Sequence, residues 1–183
     1  MEYFRLSQDQ RNRHAILFNG LINLLSYQDI HSGNILGLEH MTPMILSPSE
    51  YNEYPDALSR QIFVVREPLK QVFDMFVPDL TYKILCAMDL PNRKRAYYYA
   101  PQLPSIECYS EQSDANLNRS AIHSLRLKKE CIGDNDIFRV GGINEHVVIV
   151  TLGVAECILR RKLNGIRLNR VGFETPQKGR TTA

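Results

Sequence analysis

Five histidines, His14, His31, His40, His123 and His146, are the first candidates for metal or acid–base chemistry. No two of them sit at the i, i+4 spacing that puts two imidazoles on one helical face, so a zinc site is not written locally. The paired carboxylates Glu50/Glu53 and Asp134/Asp136 fall in turn-like segments, where acids are ordinarily solvated. General acid–base work would need one of them buried or beside a group that shifts its pKa. Gly141-Gly142 precedes a strand-like run rather than a helix. A phosphate cradle needs the opposite order, with helix-start N–H groups aimed at the anion, so this pair reads as a hairpin turn. Neither GxSxG nor SxxK occurs. The chain is therefore not expected to be an enzyme, and no cofactor or metal is expected.

Two stretches carry binding chemistry instead. Arg93-Lys94-Arg95 followed by Tyr97-Tyr98-Tyr99 sets phosphate-pairing charge beside aromatic rings. The same residues also fit a solvated basic turn entering a strand. Tyr51, Glu53, Tyr54 and Asp56 lie between Pro48 and Pro55 or just beyond, a pattern that will not sit in a central strand. Tyrosine suits interfaces because it joins a large apolar area to a polar tip. The candidate partner-binding residues are thus Tyr51, Glu53, Tyr54, Asp56, Arg93, Arg95, Tyr97, Tyr98 and Tyr99.

Positioning these side chains falls to 183 residues, enough for one domain that buries about 70% of its unfolded surface. The net charge of +2 gives no global argument for nucleic acid or an anionic membrane. No stretch reaches the ~18 apolar residues of a membrane span, and the polar N-terminus does not read as a signal peptide. The four cysteines, Cys86, Cys108, Cys131 and Cys157, form no CxxC motif. Reduced thiols in a cytoplasmic protein are expected, with Cys86 and Cys157 as small core residues.

The apolar pattern gives the elements. Ile62–Val65 reads as a strand, Pro68 opens a helix, and Leu69, Val72, Phe73 and Phe76 form its buried stripe before Thr81–Leu90 returns as strand. The plan repeats. Ile137–Val140 and Val147–Val150 are strands, and Thr151 is placed to cap a helix with its hydroxyl. Leu152, Ala155, Leu159 and Leu163 recur at helical spacing, Asn164-Gly165 ends the helix, and Ile166–Val171 alternates as a strand. Ala96–Ala100 has strand character, as does Ile122–Lys128, with a polar loop over 105–120 between them. His14–Leu25 carries a helical stripe, Ser26–Leu38 a loop, and Thr175–Ala183 a polar tail. The expected fold is α+β: a single domain over residues 1–174, with a mixed β-sheet, packed helices and two β-α-β-like units.

Three segments resemble the Imm11-type family of bacterial immunity proteins. Phe63 to Phe73 looks like its first strand and Ser-Glu-x-Leu helix. Ile137–Val140, Val147–Val150 and the run Leu163-Asn164-Gly165-Ile166-Arg167-Leu168 look like its closing element, which ends in Leu-x-Gly-apolar-x-apolar. Tyr97 to Leu127, with Ser113 in its polar loop, has the matching spacing. The likeness spans residues 44–171, and it departs at Arg66, which stands where the family often has a capping serine. It implies an antidote that neutralises a cognate toxin, such as those delivered by type VI secretion, through stoichiometric protein–protein binding. It transfers no functional residue. Two other readings stay open: a nucleic-acid binder using Arg93 to Tyr99, and an enzyme whose site is assembled only in space.

Overall fold

Two short amphipathic helices set the layering. The computed structural model describes residues 1–175, and within them the chain runs β1 (Tyr3–Gln8), α1 (Tyr27–Ser32), β2 (Met41–Ile45), β3 (Ala57–Leu58), β4 (Val64–Val65), α2 (Glu67–Phe76), β5 (Tyr82–Asp89), β6 (Lys94–Pro101) and β7 (Ser105–Ile106). It continues through β8 (Asp114–Ala115), β9 (Ile122–Ser124), β10 (Arg126–Leu127), β11 (Ile137–Val140), β12 (Val148–Thr151), α3 (Leu152–Arg160), β13 (Ile166–Arg170) and β14 (Gly172–Phe173). The fold is α+β with mixed sheets. One five-stranded sheet has the order β13-β1-β12-β11-β7, the other β2-β5-β6-β4-β3. The polar tail expected from Thr175 onward lies, beyond that first residue, outside the described residues.

Both expected β-α-β units are present, in split form. β4 and β5 are each antiparallel to β6, which lies between them, so α2 joins two parallel strands across an inserted one. β12 and β13 are likewise each antiparallel to β1, and α3 makes the connection. The N-terminal strand therefore sits inside the first sheet, where it supplies the antiparallel strand that the second sheet takes from β6.

The helices and the facing sides of both sheets share one core. Leu69, Val72 and Phe73 of α2 and Val154, Ala155 and Ile158 of α3 pack with Leu6, Ile137, Val148 and Val150 of the first sheet and Ala57 and Val65 of the second. The far face of the first sheet, through Tyr3, Phe138, Val140 and Ile149, packs on Cys108, Ile122, Leu127 and Ile132. On the far side of the second sheet, Leu85, Ala87, Tyr98 and Ala100 meet Ile16, Phe18, Leu21, Leu25 and Leu38 from the N-terminal segment.

Several local expectations change. His14–Leu25 is not an α-helix: Ala15 and Phe18 form β-bridges to Glu53 and Leu46, and only Leu21–Asn23 make a 3-10 turn. Gly20, at φ +78°, breaks the helical path, yet Ala15, Phe18, Leu21 and Leu25 are buried because the extended chain lays them on the sheet. The α-helix lies instead within the expected loop, where Ser26 caps it by accepting from the Asp29 N–H. In α3 the buried stripe is Val154, Ala155 and Ile158, while Leu152 and Leu159 are exposed and Leu163 falls beyond the helix end. The Thr151 hydroxyl donates to Asp136 Oδ1 at 2.8 Å rather than capping α3. Of the cysteines, all free, Cys108 is the fully buried one, while Cys86 and Cys157 are only partly buried.

Candidate functional site

Strand alternation on β2, β5 and β6 creates the most distinctive surface. The residues whose side chains do not reach the N-terminal segment fall into register as three rows: Met41–Ile84–Tyr99, Pro43–Cys86–Tyr97 and Ile45–Met88–Arg95. None of the nine is buried. Met41 is 49% exposed, Ile45 47% and Tyr97 44%, and Ile84, Cys86 and Met88 on the central strand are half-buried between them, so the face is a partly open apolar sheet. The arrangement follows from period-two geometry, because the alternate set, Thr42, Met44, Leu85, Ala87 and Tyr98, is spent on the opposite core. Contiguous exposed apolar patches of this kind mark binding surfaces. β2 is the last strand of its sheet, and Pro43 at its centre lacks the N–H that strand addition would use.

α2 walls one side of this face. Lys70 Nζ lies 4.9 Å from the Tyr82 ring centre and 5.5 Å from that of Tyr99, and it pairs with Asp74 at 2.6 Å. The Tyr82 hydroxyl donates to Asp74 Oδ1 at 2.8 Å, and the two tyrosine rings meet edge to face at 6.2 Å. Burial, reinforced by the Asp74 carboxylate, pushes the Tyr82 phenol well above its ordinary range. Tyr99 is held within this cluster, and its phenol is also raised by burial and by Glu67.

The opposite end is the β5–β6 hairpin tip, where Arg93 takes φ +51° and Arg93, Lys94 and Arg95 are exposed. Asp89, only 2% exposed, fastens that tip to the Pro-flanked loop. Its Oδ2 accepts from Asn52 Nδ2 at 2.8 Å and from the Tyr54 hydroxyl at 2.7 Å, while Oδ1 accepts from the Asn92 backbone N–H at 3.2 Å. The Asn52 bond first, then those of Tyr54 and Asn92, holds the Asp89 carboxyl far below the usual carboxylate range, against the contrary pull of burial. Burial and this carboxylate push the Tyr54 phenol up to about 12. The two stretches singled out from sequence are thus brought together at one end of the sheet.

They do not all offer side chains to a partner. Tyr51 is 72% exposed, and Arg93, Arg95 and Tyr97 are open. Tyr54 is tied to Asp89, and Glu53 is half-buried with its Oε2 lacking a hydrogen-bond partner. Asp56 and Tyr98 must be withdrawn as contact residues. Asp56 is buried, accepts the Asn164 N–H at 2.7 Å and lies 3.9 Å from Arg66, so it joins the α3–β13 turn to the second sheet. Tyr98 is fully buried, with its hydroxyl on the Pro55 carbonyl at 3.0 Å. A run of three strand tyrosines cannot present three rings to one side, and here only Tyr97 gives its ring to solvent.

Sequence reasoning missed β2 as part of the face, because Met41, Pro43 and Ile45 become a surface only through their pairing with β5. It also missed a polar cleft between the sheets, whose arginines come from four separate segments. Among the described residues, no three His, Cys, Asp or Glu side chains gather as a metal site would require. No helix among them is long and apolar enough to cross a membrane. Neither a scan against protein-family models nor a search of curated proteins finds a match to the chain.

Proposed function

We propose that this chain is an immunity protein that neutralises a cognate bacterial toxin by stoichiometric binding, with the toxin seated on the open face of the second sheet. The observation that carries the reading is the three-row apolar face itself, with Met41, Ile45 and Tyr97 exposed on a hydrogen-bonded strand framework. Such a surface binds by occupancy and needs no bond-making group. Rigid aromatic and aliphatic anchors at the centre of a patch supply most of the affinity, and a polar rim excludes water around them. The exposed Arg93 and Arg95 at the tip call for a toxin surface that is apolar at its centre and acidic at one edge. The resemblance of residues 44–171 to the immunity family supports the same reading.

Co-expression with a toxin encoded beside this chain tests it. The wild type should protect cells and co-elute with the toxin as one complex on size exclusion. Tyr97→Asp and Ile45→Asp each place a charge on an exposed position, so both variants should fold and both should lose the complex. Cell death in the presence of the wild type, or a complex that survives both substitutions, would overturn the proposal.

A further inference from the structure

The cleft between the first sheet and the 59–63 segment that leads into β4 has a volume of about 950 Å³, near the top of the ~300–1,000 Å³ range of small-molecule sites. Its lining is rich in guanidinium groups: Arg5 from β1, Arg13 from the N-terminal segment, Arg60 ahead of β4, and Arg167 from β13. Glu145 is the one carboxylate in that lining, and it is fully engaged. One oxygen pairs with Arg5 and the other accepts the Ile122 N–H at 2.7 Å, while Arg5 also donates to the Ile122 carbonyl at 3.3 Å. Asp9, at the cleft's outer side, is taken by Arg11 through contacts of 2.9 and 2.6 Å. Among the described residues, Arg13, Arg60 and Arg167 have no carboxylate within ion-pairing distance. Three exposed arginines therefore line one concave space, with Asp9, bound by Arg11 and also acted on by Arg167, as a partial counter-charge at its margin.

Guanidinium forks match phosphate oxygens two at a time, which favours phosphate over a halide or a lone carboxylate. A single phosphate monoester brings about −1.5 to −2 at neutral pH, short of three guanidiniums, whereas two or three linked phosphates match them. The volume of the cleft limits the size of the molecule. We propose that this cleft is a binding site for a small molecule bearing two or three linked phosphates. The site is separate from the open face of the second sheet and does not depend on toxin binding.

Calorimetric titration of the chain alone, at about 0.15 M salt to suppress long-range attraction, tests this. The probes are sodium tripolyphosphate, ATP, adenosine and citrate. Tripolyphosphate and ATP should bind once per chain, and citrate should bind much more weakly. Tighter binding of ATP than of tripolyphosphate, with adenosine also detectable, would assign the site to nucleotides. Equal affinities with silent adenosine would assign it to the phosphate chain itself. Arg13→Gln, Arg60→Gln and Arg167→Gln should each weaken binding about tenfold, the ordinary loss for one charge-assisted contact. Arg93→Gln, an exposed arginine at the hairpin tip, should change nothing. The inference falls if no probe saturates, if citrate equals tripolyphosphate, or if the three cleft variants behave like Arg93→Gln.

Discussion

Gly165 gives the sharpest test of how the two halves of the molecule are joined. It lies in the turn between α3 and β13 at φ +71°, a conformation that costs a residue with a Cβ roughly 1–2 kcal/mol. A Cβ placed there would also collide with Pro55 Cβ and lie 3.1 Å from Pro55 Cα and 3.0 Å from Asn12 Oδ1. Pro55 cannot swing aside, because its carbonyl accepts the buried Tyr98 hydroxyl and the next residue, Asp56, is bound on both sides of the turn. Relief must come from backbone movement, which adds the roughly 1–3 kcal/mol usual for overpacking. Gly165→Ala should therefore cost about 2–5 kcal/mol in urea unfolding, and about 5–15 °C in midpoint for a chain of this length. Gly133→Ala is the control. Gly133 has φ +61°, but the nearest atom to an added Cβ is Asn135 Nδ2 at 3.8 Å, so only the conformational cost of about 1–2 kcal/mol applies. Equal losses in the two variants would refute the close approach of the turn to Pro55.

Asp56→Ala should cost about 1–3 kcal/mol, because it removes the charged acceptor of the part-buried Asn164 N–H, and urea unfolding would show it. Asp56→Asn keeps an acceptor oxygen and should lose less. Asp89 has a folded-state pKa below its unfolded value near 3.9, so the stability it supplies is complete above about pH 4. That contribution is lost as the pH falls below the unfolded value and through the folded one. Thermal midpoints measured from pH 7 to 2.5 should fall in the acid limb, and Asp89→Asn should flatten that fall while lowering the midpoint at pH 7. An identical acid limb in the variant would show that Asp89 is not the group responsible.

How much of this was legible in the sequence depends on the range of the contacts involved. The stripe of α2, the hairpin at Gly141-Gly142 and the strand at Tyr97–Tyr99 follow from neighbours a few residues apart, and they are where the periodicity puts them. The segment over 14–25 misleads because its apolar spacing suits a helix while its partners are strands, and bridges from Ala15 and Phe18 outweigh local preference. Thr151 has the right type for a cap, but Asp136, fifteen residues earlier, takes its hydroxyl. For the candidate site, the sequence places Arg93, Arg95 and Tyr97 in a basic turn and the strand it enters, and the structure leaves all three exposed. Tyr98 and Asp56 were not separable from them, since burial is decided by Pro55 and Asn164, which no local pattern connects to those positions.

The open face can be derived from the repeated plan. Each split unit lays one helix over the strands on one side of its inserted strand. A helix of ten residues spans only about 15 Å, so α2 covers the Tyr99 end of the second sheet and stops short of β2. In the first sheet the equivalent margin, β13 beside β1, is also incompletely covered: Phe4, Leu159, Leu163, Ile166 and Leu168 line a groove at the edge of α3. There the sheet ends at β13. In the second sheet β2 adds a further strand outside β5, which extends the uncovered margin into a surface three strands wide. β2 adds apolar area on a side where no helix can reach it, and Thr42 and Met44 on its other side are enough to anchor it to the core. A strand that served only the core could carry polar residues at 41 and 45 without loss. Met41 and Ile45, each about half exposed at those positions, are the side chains that the proposed toxin interface would bury.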